Sequence, residues 1–172
     1  MLNPFRRSYT AEELNLCRFL TKCKLFEDLS NDELIHFLPY MYLREYKPDE
    51  VVFFRDDPSQ ALYVVKSGTI GLSIDVGQKL EYLTTVRTFS SLGDNSLIPN
   101  TKRIYNAIVN GSDSCELYVI PQANILDIFE RHAEIKAKMN AALSSGYNRF
   151  IYDMFKAYKS SLGFFDVRQI YS

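Results

Sequence analysis

The 172-residue chain has no tryptophan, only three cysteines and no imbalance of charge. Its 20 basic and 21 acidic residues leave a net charge of −1, and no segment concentrates Lys or Arg. Proteins that bind nucleic acid gather positive charge on one face, so direct binding of DNA or RNA is not expected. No stretch approaches the ~18 uncharged apolar residues of a membrane span. The N-terminal MLNPFRRSYTAEELN carries charges where a secretion signal needs an apolar run. A cytoplasmic protein with no membrane contact is expected. Cys17, Cys23 and Cys115 form no C-x-x-C pair, and six residues of helix would turn Cys17 and Cys23 to different faces. They read as free thiols of a reducing compartment. The motifs G-x-S-x-G, H-E-x-x-H and G-x-x-x-x-G-K-[ST] do not occur. Neither His36 nor His132 has a second ligand at metal spacing. Neither an enzyme nor a metal site is expected. No internal repeat or low-complexity segment occurs.

Apolar residues make up 47% of the chain, which excludes a disordered protein. Tyr and Phe number twelve each, a lean toward β structure. Thr10 to Glu13 and Ser30 to Glu33 both have the spacing of a helix capping box. They predict helices over about 11–24 and 31–39, the second ended by Pro39. From about residue 41 the pattern changes. Strand-like runs at 41–46, 51–54, 61–65, 69–74, 80–86, 104–109 and 115–120 alternate with turn residues, as in an antiparallel sandwich or jelly roll. After Pro121 the period is helical, and a long helix is predicted over 133–161. Leu143, Tyr147, Phe150, Met154 and Ala157 are spaced 4, 3, 4, 3 along it. That spacing serves a helix that pairs with another helix, and equally one that packs on its own β domain. The chain divides into N-terminal helices (1–40), a β unit (41–121) and C-terminal helices with a tail (122–172).

The stretch SSLGDNSLIPNTKRIYNAIV, residues 90–109, carries the candidate chemistry. Gly93, Asp94, Asn95 and Ser96 can open a single helical turn before Pro99, with free amides directed at an anion. Arg103, at the start of the following strand, can clamp that anion with two donors. Asp94 is an acceptor suited to a hydroxyl. Phosphate beside hydroxyl describes a nucleotide ribose phosphate. The alternative is an Asp94–Arg103 ion pair that simply holds a loop.

The runs LFEDLSNDEL (25–34), VVFFRDDPSQALYVVKSGTIGLS (51–73), GDNSLIPNTKR (93–103) and ELYVIPQANILDIFE (116–130) resemble the cyclic-nucleotide-binding domain, in particular its Crp/Fnr branch. The resemblance implies a mainly β fold with flanking helices: an eight-stranded jelly roll (double-stranded β-helix), a phosphate-binding cassette at 93–105, and a long C-terminal helix that often dimerises. Gly93, Ser96, Leu97 and Arg103 match the cassette. Asp94 replaces the ribose-binding glutamate. Ile104 and Tyr105 stand where the family has small residues, and on a regular strand Tyr105 would share the side of Arg103 and crowd the phosphate. Asp49, Asp56 and Phe89 occupy family glycine positions, Phe89 being a bulky change beside the cassette. The tail LGFFDVRQIYS resembles the hinge before a helix-turn-helix domain, and no recognition helix follows in this sequence. The expectation is a stand-alone regulatory or interaction module with a degenerate cassette. Ile104, Tyr105 and Phe89 are the pocket-blocking candidates, and Leu143, Tyr147, Phe150 and Met154 form the helix seam of a homodimer. The alternatives are a cAMP or cGMP sensor that moves its C-terminal helix, and a regulatory subunit that joins a DNA-binding protein partner.

Overall fold

A computed structural model describes residues 8–77 and 79–162. Among these described residues eight strands form two antiparallel four-stranded sheets. The first has the order β1 (Tyr42–Tyr46), β8 (Cys115–Pro121), β3 (Ala61–Ser67), β6 (Ser91–Leu92); the second has β2 (Val51–Phe53), β7 (Asn106–Val109), β4 (Thr69–Val76), β5 (Lys79–Arg87). This is the jelly roll. Strand β3 explains its own uninterrupted apolar run. Leu62 and Val64 face the helices, while Val65 and the partly buried Tyr63 face the sandwich interior, so both sides of the strand are covered.

Among the described residues four helices flank the sheets: α1 (Ala11–Leu20), α2 (Asn31–Leu34), α3 (Gln122–Arg131) and α4 (Ala133–Leu162). Both capping boxes form. The Glu13 amide donates to Thr10 Oγ1 at 3.1 Å and the Thr10 amide to Glu13 Oε2 at 2.8 Å. Ser30 and Glu33 repeat the arrangement. Helix α1 stops at Leu20, short of the expected residue 24, because the chain turns there and brings Cys23, Leu25 and Phe26 into the helical core. Helix α2 is likewise shorter than expected and gives way to a 3₁₀ turn at Leu38–Tyr40 with Pro39 at its start. Between α3 and α4, His132 leaves helical geometry (φ −133°, ψ 81°). Its ring lies 3.9 Å from that of His36.

The expected strand at 104–109 begins later, at Asn106. Residues 101–103 instead lie along the turn after β2. The Arg103 amide donates to the Asp57 carbonyl at 2.8 Å, and the Asp56 amide donates to the Arg103 carbonyl at 2.9 Å. Asp49, Asp56 and Phe89 all have positive φ (61°, 67° and 69°), the region glycine adopts at no steric cost. The Phe89 ring, however, turns away from the cassette. It packs 5.2 Å from the Phe19 ring of α1, with the Lys22 ammonium 4.7 Å from its centroid. Phe89 is thus a strut to α1 and does not block the pocket. The hinge-like tail lies, beyond Leu162, outside the described residues.

Candidate functional site

Gly93 and Arg103 form the centre of the cassette. Gly93 has φ +72° and caps a single 3₁₀ turn, Asp94–Leu97. A Cβ there would run into Arg103 Nη1 and lie 3.2 Å from the Ala61 carbonyl. The guanidinium donates from Nη1 to the Gly93 carbonyl at 3.1 Å and from Nη2 to the Ala61 carbonyl at 2.6 Å. Its carbon sits 4.2 Å from the Phe53 ring centroid and 5.5 Å from that of Tyr63. Arg103 is 3% exposed. Burial lowers its pKa, yet a guanidinium remains charged. The alternative of an Asp94–Arg103 ion pair is not what forms. Backbone carbonyls and ring faces hold the cation, because the turn directs Gly93 O and Ala61 O at the two terminal nitrogens.

Tyr105 does reach the cassette. The Gly93 amide donates to its hydroxyl at 3.1 Å, and its ring lies 5.8 Å from Phe53. Burial pushes this hydroxyl well above its ordinary pKa. Ile104 is exposed and sits at a cavity rim. Asn95 is committed to the scaffold: Ser59 Oγ donates to its Oδ1 at 3.1 Å, and its Nδ2 donates to the Lys102 carbonyl. The Ser96 amide is closed onto the Gly93 carbonyl at 2.9 Å, and the Ser96 carbonyl accepts from Gln122 Nε2 at 2.9 Å. Among the described residues, the buried side-chain polar atoms without a partner are Asp94 Oδ1, Ser96 Oγ and Arg103 Nε. Such atoms are few in folded proteins, and all three belong to the cassette. Desolvation raises the Asp94 carboxyl to about 6, opposed by the Ser91 hydroxyl and the Arg103 charge.

A cavity of about 260 Å³ lies between the β sandwich and α4. Asp94, Ile104 and Tyr105 border it, as do Leu143, Tyr147 and Phe150 of α4; Arg103 does not. The α4 stripe read from the 4-3-4-3 spacing therefore divides. Leu143 is buried in the chain's own core and Tyr147 packs against it. Phe150 lies at the cavity with half its surface exposed, and Met154 is exposed. Sequence reasoning did not find Phe53, Tyr63 and the Ala61 carbonyl as the seat of Arg103. The signal was only that β3 carries a tyrosine on its inward face. Among the described residues no group of three or more His, Cys, Asp or Glu gathers as a metal site. No helix of the described residues is long and apolar enough to cross a membrane.

Residues 43–132 match the family model of the cyclic nucleotide-binding domain. No curated protein matches the sequence. Solved structures do. The regulatory domain of Toxoplasma gondii PKA, crystallised with cAMP, aligns with TM-score 0.62 at 19% identity over 71% of this chain and 46% of that one. The catabolite activator protein of Thermus thermophilus aligns with TM-score 0.65 at 25% identity over 78% of this chain and 62% of its own. The sensor domain of the transcriptional regulator DNR from Pseudomonas aeruginosa aligns with TM-score 0.67 at 17% identity, covering 83% of this chain and 95% of that chain. This chain thus spans less than half the length of the Toxoplasma chain it matches.

Proposed function

The chain belongs to the cyclic nucleotide-binding domain family, and on that premise we propose that it is a non-catalytic regulatory and interaction module whose cassette takes up no cyclic nucleotide. One observation carries this reading. The arginine that would receive the phosphate is 3% exposed, already donates to two backbone carbonyls, and does not border the cavity. Tyr105 adds to it by occupying the Gly93 amide. For its two terminal nitrogens to clamp a phosphate, Arg103 would have to give up both hydrogen bonds and the ring stacking. Each neutral hydrogen bond contributes about 0.5–1.5 kcal/mol, and those to a charged group about 1.5–3 kcal/mol. The partner we propose is a second copy of the chain, paired through the exposed part of α4, with a DNA-binding or other protein as the alternative.

The second reading, a cAMP or cGMP sensor that moves α4, has its own support. The three orphan atoms, Asp94 Oδ1, Ser96 Oγ and Arg103 Nε, are groups a ribose phosphate would satisfy. Calorimetric titration with cAMP and cGMP separates the two. The expected result is no heat at millimolar nucleotide for the native chain. Tyr105→Ala, which frees the Gly93 amide and removes the ring, is expected to gain measurable affinity. Micromolar binding by the native chain would establish the sensor instead.

A further inference from the structure

Among the described residues, the side-chain-bearing positions with positive φ are Asp49, Asp56, Asn100 and Phe89. Asp and Asn tolerate this region, whereas a bulky residue there is an outlier. A left-handed residue with a Cβ costs roughly tenfold in an equilibrium constant, so something must hold Phe89 in place. The backbone of the turn needs the conformation. The Phe89 amide donates to the Val65 carbonyl at 2.9 Å, and the Val65 amide donates to the Ser90 carbonyl at 2.9 Å. Groups on both sides of the Phe89 Cα therefore bond one residue of β3, and rotation about φ would separate them. The ring supplies the hold. It packs 5.2 Å from Phe19 of α1, and Phe19 packs 5.1 Å from Tyr118 of β8. The Lys22 ammonium lies 4.7 Å from the Phe89 centroid. Ring–ring and cation–ring contacts of this kind are attractive.

The same turn leads into the cassette. After Ser90 only β6, Ser91–Leu92, separates it from Gly93. Strand β6 pairs with Tyr63 and Val64, next to Val65, and the Gly93 carbonyl then receives Arg103. We propose that Phe89 is a strained strut through which the docking of α1 holds the cassette closed. With Phe19 and Lys22 in place, the ring keeps φ at +69°. Without them the residue relaxes to negative φ, the turn releases Val65, β6 shifts, and Gly93 leaves its place against Arg103. The turn is the two-state element, and α1 biases it. The coupling is reciprocal: whatever draws the end of α1 away loosens the cassette, and whatever opens the cassette weakens the seat of α1. The inference does not depend on whether the cassette takes a nucleotide.

The test is amide hydrogen exchange on the full chain. The Gly93 amide, bonded to the Tyr105 hydroxyl, and the Ser96 amide, bonded to the Gly93 carbonyl, report the cassette. The Val109 amide of β7, bonded to the Glu50 carbonyl, reports the sandwich. Phe19→Ala should speed exchange at Gly93 and Ser96 about tenfold, the left-handed cost, beyond any change at Val109. Phe89→Ala, which keeps the strain and loses the ring, should do the same. Phe89→Gly loses both, so Gly93 and Ser96 should stay in step with Val109, and adding Phe19→Ala should not change that. Helix α1 remains anchored by Cys17 and Leu20, both fully buried. Should Phe19→Ala nevertheless fail to fold, Phe19→Leu keeps apolar volume without the ring and should act in the same direction. The proposal is overturned if Gly93 and Ser96 merely follow Val109 in the Phe19 variant and in Phe89→Ala. It is also overturned if Phe89→Ala and Phe89→Gly behave alike, or if the Phe19 substitution acts as strongly in the Phe89→Gly background.

Discussion

Gly93 and Arg103 constrain each other. The guanidinium lies where a Gly93 side chain would be, and it is held there by the Gly93 and Ala61 carbonyls. Gly93→Ala therefore carries two costs. One is the left-handed conformation, about 1–2 kcal/mol for a residue with a Cβ. The other is displacement of a buried cation from its hydrogen bonds. Gly77 separates the two, since it has φ +64° with nothing within 4 Å of an added Cβ. Chemical denaturation should show Gly77→Ala losing about 1 kcal/mol and Gly93→Ala at least twice that. Equal losses would mean that the guanidinium moves aside freely and is not fixed in its seat. That Gly93, Arg103 and Tyr105 come together was legible in the sequence, because a left-handed glycine, a clamp and a bulky neighbour each have a spacing. The partners of Arg103 were not legible. Ala61 O is a backbone group 42 residues away, and no residue type announces it. The direction of Phe89 was hidden for a similar reason: at φ +69° its ring leaves the chain toward α1 rather than the cassette.

The longest element, α4, has two environments along its 30 residues, a length of about 45 Å. Ile135, Met139 and Leu143 are buried against the other helices and the first sheet. Further along, Phe150, Ile151, Tyr152 and Met154 are 56%, 43%, 67% and 47% exposed. Several large apolar side chains close together on a helix mark an interaction surface more than a solvated one. Met154→Asp places a charge there without touching the cavity. Sedimentation velocity should show the native chain as a dimer and Met154→Asp as a monomer, with unchanged circular dichroism. A native monomer, or a dimer that survives the substitution, removes α4 as the seam. The helix itself was clear in its periodicity, but the division of its stripe was not, since the same spacing serves a chain's own core and a partner's. Strand β6 was missed because two residues, paired only with Tyr63 and Val64, carry no period.

At the scale of the molecule, two hydrophobic cores share one sheet. The first joins α1, α3 and α4 to the outer face of β3 and β8; the second fills the sandwich. The alternating side chains of β3 belong to both, so neither core can open without exposing the other. Cysteine supplies a reporter in each. Cys23 is fully buried in the helical core and Cys115 in the sandwich, and both are free. Burial pushes both thiols up to about 11, so both are inert until the structure opens. Their labelling by a disulfide reagent in rising denaturant then measures the opening of each core separately. With a shared sheet, Cys23 and Cys115 should report the same opening free energy and the same dependence on denaturant, as one cooperative unit. A markedly lower opening energy at Cys23 alone would show that the helical layer detaches while the sandwich stays closed. In that case α4 could move without disturbing the sheets. Equal values require any movement of α4 to be confined to the part beyond Leu143, where the cavity and the exposed stripe both lie.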